Sequence, residues 1–277
     1  MQLCFYLSRR GHINLPKKFF EQLARLESEN QSFVLATVVE SGGSTPRVSG
    51  ARMAITADRF FGTIGGGALE YRIIKDARAL LTNPKQTTEL VSVHLVRDLA
   101  MCCGGKMSVF LDKVEATPLL WIFGAGHVGT QLAEFAVKTG FRVQVVDDRP
   151  EWASTTRFTE AVKVVEDDPE TIIKRAPPQE DDYVVVTTHE HALDEAIIRA
   201  LAAHSLRFLG VIGSRGKWAR FVNRFEARGL QDEAISRVQC PVGIDIGAQT
   251  PEEIAISILA QLIAIRRKES HRGGATE

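Results

Sequence analysis

One stretch of this 277-residue chain, from Leu119 to Asp147, constrains the fold more than any other. A short apolar run (119–123) leads directly into the sequence GAGHVG (124–129), a helical pattern continues to Lys138, and a second apolar run ends at Asp147. Strand, glycine-rich loop, helix and strand in this order are typical of the first βαβ unit of a Rossmann fold. The stretch therefore predicts a Rossmann-type parallel sheet.

The glycines of this loop suit a ligand that carries phosphate. Gly124 would make the tight turn, Gly126 would admit a pyrophosphate, and Gly129 would let the helix pack closely on the strand. The helix N-terminus attracts an anion, and Asp147 or its neighbour Asp148 would bind a pair of ribose hydroxyls. The cofactor-binding residues predicted here are Gly124, Gly126, His127, Gly129 and Asp147. The alternative is a Rossmann fold whose crevice binds nothing.

Apolar runs and helical segments go on alternating up to residue 212, as they do when helices connect parallel strands. The strands predicted from these runs cover residues 119–123, 142–146, 161–165, 183–187 and 207–212. The character of the sequence changes around residues 114–118. We therefore predict a C-terminal domain of the α/β class, with a Rossmann-like parallel sheet, over residues 116–277.

Two further loops are predicted at the carboxyl edge of this sheet, where open parallel sheets bind their ligands. His189 and His191 follow one strand, with Asp194 three residues further on, and are candidate metal ligands, acid–base groups or simple hydrogen-bonding residues. Arg215 and Lys217 follow the next strand and would hold a phosphate.

The first part of the chain, residues 1–115, predicts a smaller α+β domain with glycine-bearing loops. Strands are predicted over residues 32–40, 51–56, 89–95 and 107–112, and helices over residues 16–29 and 69–81. The loops have the sequences SGGSTPRVSG (41–50), GTIGGG (62–67) and MCCGG (101–105).

Cys102 and Cys103 are adjacent, and two glycines follow them. Neighbouring cysteines rarely join without strain, so the pair is a poor structural disulfide. Thiols on a loop where glycine lets a bound group approach suit a soft metal, sulfur transfer or redox chemistry. The alternative is a pair of small buried residues at the start of a strand. Cys4 and Cys240 look incidental.

The composition argues against several classes of protein. Lys plus Arg and Asp plus Glu are both 34, so the formal net charge is zero and gives no sign of binding to nucleic acid or to an anionic membrane. No apolar run reaches the ~18 residues of a membrane span. Four cysteines in a chain of this size do not make a disulfide framework, which predicts a reducing, cytoplasmic location.

Taken together, the segments resemble the XdhC/CoxI family of xanthine dehydrogenase accessory proteins, over about residues 33–265. The pieces that carry the resemblance are SGGSTPR (41–47), GTIGGGALE (62–70), MCCGG (101–105), FGAGHVG (123–129), VVDDR (145–149), THEHALD (188–194), GVIGSRGK (210–217) and CPVGIDIGAQTPEEIAISILA (240–260). Their order and spacing, more than any single piece, make the resemblance specific.

The resemblance implies an accessory factor of purine catabolism rather than a stand-alone enzyme. Such a protein binds the molybdenum cofactor, helps it gain its terminal sulfido ligand, and passes it to apo-xanthine dehydrogenase. The implied partners are the molybdenum-binding subunit of the dehydrogenase, a cysteine desulfurase and a second copy of the chain. The Gly124 loop would hold the cofactor phosphate, and Cys102 or Cys103 would contact the molybdenum or carry sulfur.

The chain departs from the CoxI branch at Ala68, where CoxI-type relatives carry a cysteine, so it fits the XdhC branch better. Two other hypotheses remain open from the sequence. The Rossmann loop with Asp147 also suits an NAD(P)-dependent oxidoreductase, for which only His189 or His191 offers an acid–base group. A regulatory module that senses a nucleotide is the other, and a nucleotide bound in addition to the pterin is left open.

Overall fold

The computed structural model describes residues 17–43, 45, 47–99, 105–202, 204–229 and 232–271. The described residues form two compact units, which we call the N-terminal unit, between Lys17 and Ala116, and the C-terminal unit, from Thr117 to Arg267. Cys102 and Cys103 lie outside the described residues. Within the described ranges, no helix has the length and apolar character needed to cross a bilayer.

The N-terminal unit is an antiparallel sheet with a helix on each face. Its described strands run in the order β3-β2-β1-β5-β4. They are β1 (Phe33–Gly42), β2 (Arg52–Ile55), β3 (Phe60–Gly62), β4 (Thr88–His94) and β5 (Lys106–Val114), and its helices are α1 (Lys17–Ser28), α2 (Gly67–Thr82) and α3 (Leu95–Leu99). The predicted α+β character is confirmed; β3 and α3 are short and were not predicted.

Hydrophobic periodicity explains how these elements pack. Every second side chain in the first half of β1 is buried against α2, namely Val34, Ala36 and Val38. The matching stripe of α2 has helical spacing and comprises Leu69, Ile73, Ala77 and Leu80. α1 packs its Phe19 and Leu26 on the opposite face of the sheet, over Phe33 and Ala54.

The strand register brings the glycine-bearing loops to one edge of this sheet. Gly42, at the end of β1, pairs with Lys106, at the start of β5, and Lys106 also pairs with His94, at the end of β4. Gly62, at the end of β3, pairs with Met53 near the start of β2. This edge carries Gly42, Gly62 and Gly105, the last of which directly precedes β5. We call it the glycine edge.

The C-terminal unit is a parallel sheet flanked by helices, as predicted. Its described strands run in the order β11-β10-β9-β6-β7-β8. They are β6 (Leu119–Phe123), β7 (Arg142–Asp147), β8 (Val162–Glu166), β9 (Tyr183–Val186), β10 (Phe208–Val211) and β11 (Val238–Gln239). The helices are α4 (His127–Lys138), α5 (Pro169–Arg175), α6 (His191–Leu201), α7 (Arg215–Ala227), α8 (Asp232–Ser236) and α9 (Pro251–His271), of which the part up to Arg267 belongs to this unit.

The sheet topology identifies a ligand crevice in this unit. β6 pairs with β7 on one side and with β9 on the other. Strands β6 to β8 extend the sheet in one direction and strands β9 to β11 extend it in the other, so the strand order reverses between β6 and β9. Ligands of open parallel sheets bind beyond the carboxyl ends of the strands at such a switch point. The loops that follow β6, β7 and β9 therefore border the candidate site, and the predicted α/β Rossmann fold is confirmed.

Candidate functional site

In the glycine loop after β6, a side chain would clash at Gly124 and Gly129 but not at Gly126. Gly124 has a φ of 114°, and a Cβ there would lie 2.5 Å from the Thr187 carbonyl oxygen. A Cβ on Gly129 would overlap the Gly124 carbonyl oxygen. Gly126 has an ordinary φ of −64° and nothing within 4 Å of its would-be Cβ. The open space beside Gly126, at the start of α4, therefore fits an approaching phosphate group.

Asp147 is buried beneath this loop, with 3% of its surface exposed. Its Oδ2 accepts hydrogen bonds from the Ala125 N–H at 2.7 Å and from Arg149 Nη2 at 2.8 Å. Its Oδ1 accepts from Arg149 Nε at 2.8 Å and from the Arg149 N–H at 3.1 Å. Burial raises the pKa of Asp147, but the hydrogen bonds from Arg149 and Ala125 outweigh it and hold the pKa below its usual value.

Trp152 links Arg149 to a second arginine. The guanidinium carbons of Arg149 and Arg157 lie 4.9 Å and 4.4 Å from the centre of the Trp152 ring. Arg157 Nη1 donates to the carbonyl oxygens of Ala125 and Trp152, both at 2.9 Å, and its Nη2 donates to Thr130 Oγ1 at 3.2 Å. The chain of contacts therefore begins and ends at Ala125, and we call Asp147, Arg149, Trp152 and Arg157 the loop ring.

His127 and Asp148, both predicted near a ligand, are exposed. His127 is the first residue of α4, and the edge of its imidazole packs against Trp152 with 5.2 Å between ring centres. Asp148 follows β7 directly. Their predicted roles as ligand contacts stay predictions.

Lys217 lies in a buried ion pair rather than on an open surface. Its Nζ donates to Asp194 Oδ2 at 2.6 Å and to the Ile212 carbonyl oxygen at 3.0 Å. Asp194 Oδ1 in turn accepts from Thr188 Oγ1 at 2.6 Å and from the Thr188 N–H at 3.2 Å. A phosphate on Lys217 would have to compete with Asp194, whereas Arg215, at the start of α7, is exposed.

The remaining polar candidates of this unit are two exposed histidines and a half-buried cysteine. His189 and His191 are both exposed. In the part of the chain that the structure describes, no cluster of three or more His, Cys, Asp or Glu side chains could hold a metal ion. Cys240 is half-buried, and burial raises the pKa of its thiol to about 11. A thiol with so high a pKa is a weak nucleophile at neutral pH.

At the glycine edge, an internal carboxylate already satisfies the loop before α2. Glu70 Oε1 accepts hydrogen bonds from the N–H groups of Ile64, Gly65 and Gly66 at 3.0, 3.2 and 2.8 Å, and from Thr63 Oγ1. These donors would otherwise suit an external anion. The loop therefore holds itself in shape through Glu70, and we assign no phosphate to it.

Cys102 and Cys103 lie outside the described residues, and Gly105, the next described residue of the chain, lies at this same edge. Leu99 precedes the two cysteines at the end of α3, and Gly105 accepts a hydrogen bond from the Leu95 N–H at 3.0 Å. Ala68, where CoxI-type relatives carry a cysteine, is exposed in the first turn of α2. The glycine edge thus includes Gly105, the described residue that directly follows the predicted cysteine site.

The sequence did not reveal the residues that shape the glycine loops. Arg149 stands two positions after Asp147, a spacing that permits an ion pair, but no pattern pointed to Trp152 or Arg157. Glu70 also carries a sequence signal, because an acid in the first turn of a helix suits the helix N-terminus.

Comparisons with known proteins agree across both units. The model of the XdhC Rossmann domain matches residues 120–262, and that of the XdhC and CoxI family matches residues 26–93. The Escherichia coli protein PaoD, described as a molybdenum cofactor insertion chaperone, is 23% identical over 84% of this chain and 83% of its own length. A Bacillus subtilis protein described as a probable subunit of xanthine dehydrogenase is 33% identical over 58% of this chain and 47% of its own length.

The chain spans about half the length of the first curated relatives it matches. A crystal structure described as a xanthine dehydrogenase from Bacillus halodurans superposes with a TM-score of 0.52 and 25% identity, over 92% of this chain and 97% of that one. The Rossmann-domain match covers half of the chain and includes the glycine loop described above. The chain therefore belongs to the XdhC family.

Proposed function

We propose that this chain is an accessory protein of a molybdenum-containing xanthine dehydrogenase, which binds the molybdenum cofactor, supports its sulfuration and delivers it to the apo-enzyme. The observation that carries the proposal is the family assignment, which extends over both units. PaoD, whose name describes cofactor insertion, supports it because the similarity covers most of both chains.

The C-terminal unit would hold the cofactor through its phosphate. The space beside Gly126 is open, and the first N–H groups of α4 have no partners within the helix. A helix N-terminus behind a glycine loop stabilises a phosphate by hydrogen bonds and by the helix dipole. Gly124 and Gly129 keep the loop close to the sheet, so the phosphate would meet backbone donors.

The N-terminal unit would supply sulfur chemistry. Cys102 and Cys103 lie outside the described residues, but Gly105, the described residue that follows them, lies at the glycine edge and accepts a hydrogen bond from the Leu95 N–H. The cofactor supplies a molybdenum atom held by dithiolene sulfurs, and a thiolate is a soft ligand of matching chemistry. We assign one cysteine of the pair to the contact with molybdenum or to the carriage of sulfur.

The client enzyme in this proposal is xanthine dehydrogenase, the name carried by two of the similar proteins. Contacts with a cysteine desulfurase, formation of a homodimer, a cytoplasmic location and a place in purine catabolism follow from the family resemblance and stay predictions. Neither alternative, the oxidoreductase nor the nucleotide-sensing module, gains a specific observation from the structure.

Reconstitution of an apo-dehydrogenase tests the proposal. Apo-xanthine dehydrogenase would be mixed with this chain purified from a host that makes the cofactor, and recovery of dehydrogenase activity would be followed over time. We expect recovery to be faster and more complete than with free cofactor. The double variant Cys102→Ala/Cys103→Ala should lose this gain, while Cys240→Ser should keep it. Recovery no better than with free cofactor would contradict the proposal.

A further inference from the structure

We propose that Asp147 positions the glycine loop instead of reading a ribose, so the Rossmann crevice takes a phosphate-bearing ligand without recognising a ribose diol. The acid at the end of the second strand of a Rossmann unit commonly binds the two ribose hydroxyls of NAD. The inference deepens the proposed function, on which it rests, because the cofactor phosphate of a pterin needs no ribose.

Donors within the protein saturate the Asp147 carboxylate. An ionised carboxylate offers about four acceptor positions. Donors from Ala125 and Arg149 fill two positions on each oxygen, at distances between 2.7 and 3.1 Å. Since Asp147 is 3% exposed, a ribose hydroxyl would have to displace one of these charge-assisted or backbone bonds. Diol recognition by Asp147 would thus break the arrangement that holds the loop.

Both ends of the loop ring contact the same residue, Ala125. The Ala125 N–H donates to Asp147, and the Ala125 carbonyl oxygen accepts from Arg157 and from Thr130 Oγ1 at 3.1 Å. Trp152 contacts both Arg149 and Arg157, so its ring links the two cations. Ala125 is held through both its donor and its acceptor, and it stands next to Gly126. The loop ring therefore fixes the loop before any ligand arrives.

Two nucleotides that differ only in the diol test the specificity. Binding of ADP and 2′,3′-dideoxy-ADP would be measured by calorimetry on the full chain and on the variants Asp147→Asn, Asp148→Asn and Glu151→Gln. Glu151 is the matched control, because it is an exposed acid near Arg149 with no hydrogen bond to the loop. A hydrogen bond to a charged group changes affinity by about tenfold or more, which calorimetry resolves.

We expect ADP and 2′,3′-dideoxy-ADP to bind the parent chain with equal dissociation constants. Asp147→Asn should weaken both to the same extent, about tenfold or more, because it loosens the loop that both diphosphates use. Glu151→Gln should weaken neither. Tighter binding of ADP than of its dideoxy form, removed by Asp147→Asn or by Asp148→Asn, would overturn the inference, since one of these acids would then read the diol.

Amide hydrogen exchange without ligand gives a second, independent answer. In Asp147→Asn, exchange of the Ala125 amide should accelerate by about tenfold or more, because its acceptor loses the carboxylate charge, with the amides of β1 in the N-terminal unit unchanged as the internal control. Unchanged exchange at Ala125 would overturn the positioning role whether or not a nucleotide binds. If neither diphosphate binds the parent chain, the proposed phosphate site in this crevice fails, and the exchange result still decides the role of Asp147.

Discussion

Replacement of Lys217 by methionine should destabilise the C-terminal unit strongly. Lys217 Nζ lies 2.6 Å from Asp194 Oδ2, and the two side chains are 7% and 1% exposed. Methionine keeps the apolar stem beside Gly213, where the Lys217 side chain packs, but it leaves the Asp194 carboxylate buried with the Thr188 donors alone. Removing one partner of a buried ion pair costs about 3–5 kcal/mol.

A surface pair provides the matched control. Lys138 Nζ and Glu134 Oε1 are also 2.6 Å apart, but their side chains are 65% and 43% exposed. Because water screens such a pair, Lys138→Met should cost only about 0.3–0.5 kcal/mol. The two variants share a substitution and an ion-pair distance and differ in burial.

Urea unfolding followed by tryptophan fluorescence measures both losses. All three tryptophans of the chain, Trp121, Trp152 and Trp218, lie in the C-terminal unit, so the signal reports on the unit that contains both pairs. The melting temperature of Lys217→Met should also fall by roughly 6–20 °C, at about 2–4 °C for each kcal/mol. A loss no larger than that of Lys138→Met would refute the reasoning that burial makes the Lys217 pair important.

Other predictions concern the loops and the described cysteine. Gly129→Ala should destabilise the chain by several kcal/mol in thermal unfolding, because its Cβ would overlap the Gly124 carbonyl oxygen. Gly126→Ala, whose Cβ would meet open space, should change stability by less than about 0.5 kcal/mol and weaken only phosphate binding. Equal melting temperatures for the two variants would contradict this. Glu70→Ala should lower the unfolding free energy by about 1–3 kcal/mol in urea, because the loop N–H groups lose their acceptor; an unchanged midpoint would show that Glu70 does not hold the loop. Iodoacetamide should modify Cys240 slowly at neutral pH, as measured by peptide mass spectrometry, because the pKa of its thiol is about 11; fast labelling of the folded chain at neutral pH would contradict this. The raised thiol pKa also makes stability depend on pH. The contribution of Cys240 to the unfolding free energy is complete below the usual thiol pKa of 9.0 and is lost as the pH rises from there to about 11.

The sequence predicted the fold well where a long pattern repeats. Apolar runs bounded by loops located each strand from β6 to β10 to within about two residues, because strands buried on both faces need continuous apolar side chains. β3 and β11 escaped prediction because three or two residues carry too little periodicity. Their pairing is decided by neighbouring strands rather than by their own sequence.

The candidate site was predictable only in part, because a sequence shows which groups are present and not what they contact. The glycine loop was located from its spacing, and nothing lies within 4 Å of a Cβ built on Gly126, but its role in phosphate binding stays a prediction. Lys217 was predicted as a phosphate ligand, yet its side chain turns inward to Asp194 on a neighbouring helix. The loop ring depends on Arg157 and Asp147, which are ten positions apart and are linked on one side by Ala125 and on the other by Arg149 and Trp152.

The pterin content of the purified chain tests the proposed function most directly. The protein would be produced in a host that makes the molybdenum cofactor, denatured, and its supernatant oxidised to the fluorescent pterin derivative, with Cys102→Ala/Cys103→Ala prepared in parallel. We predict pterin in the parent chain and markedly less in the double variant, as expected for a cofactor carrier whose thiols contact the cofactor. Absence of pterin from the parent chain, under conditions that load an established carrier, would contradict the proposed function.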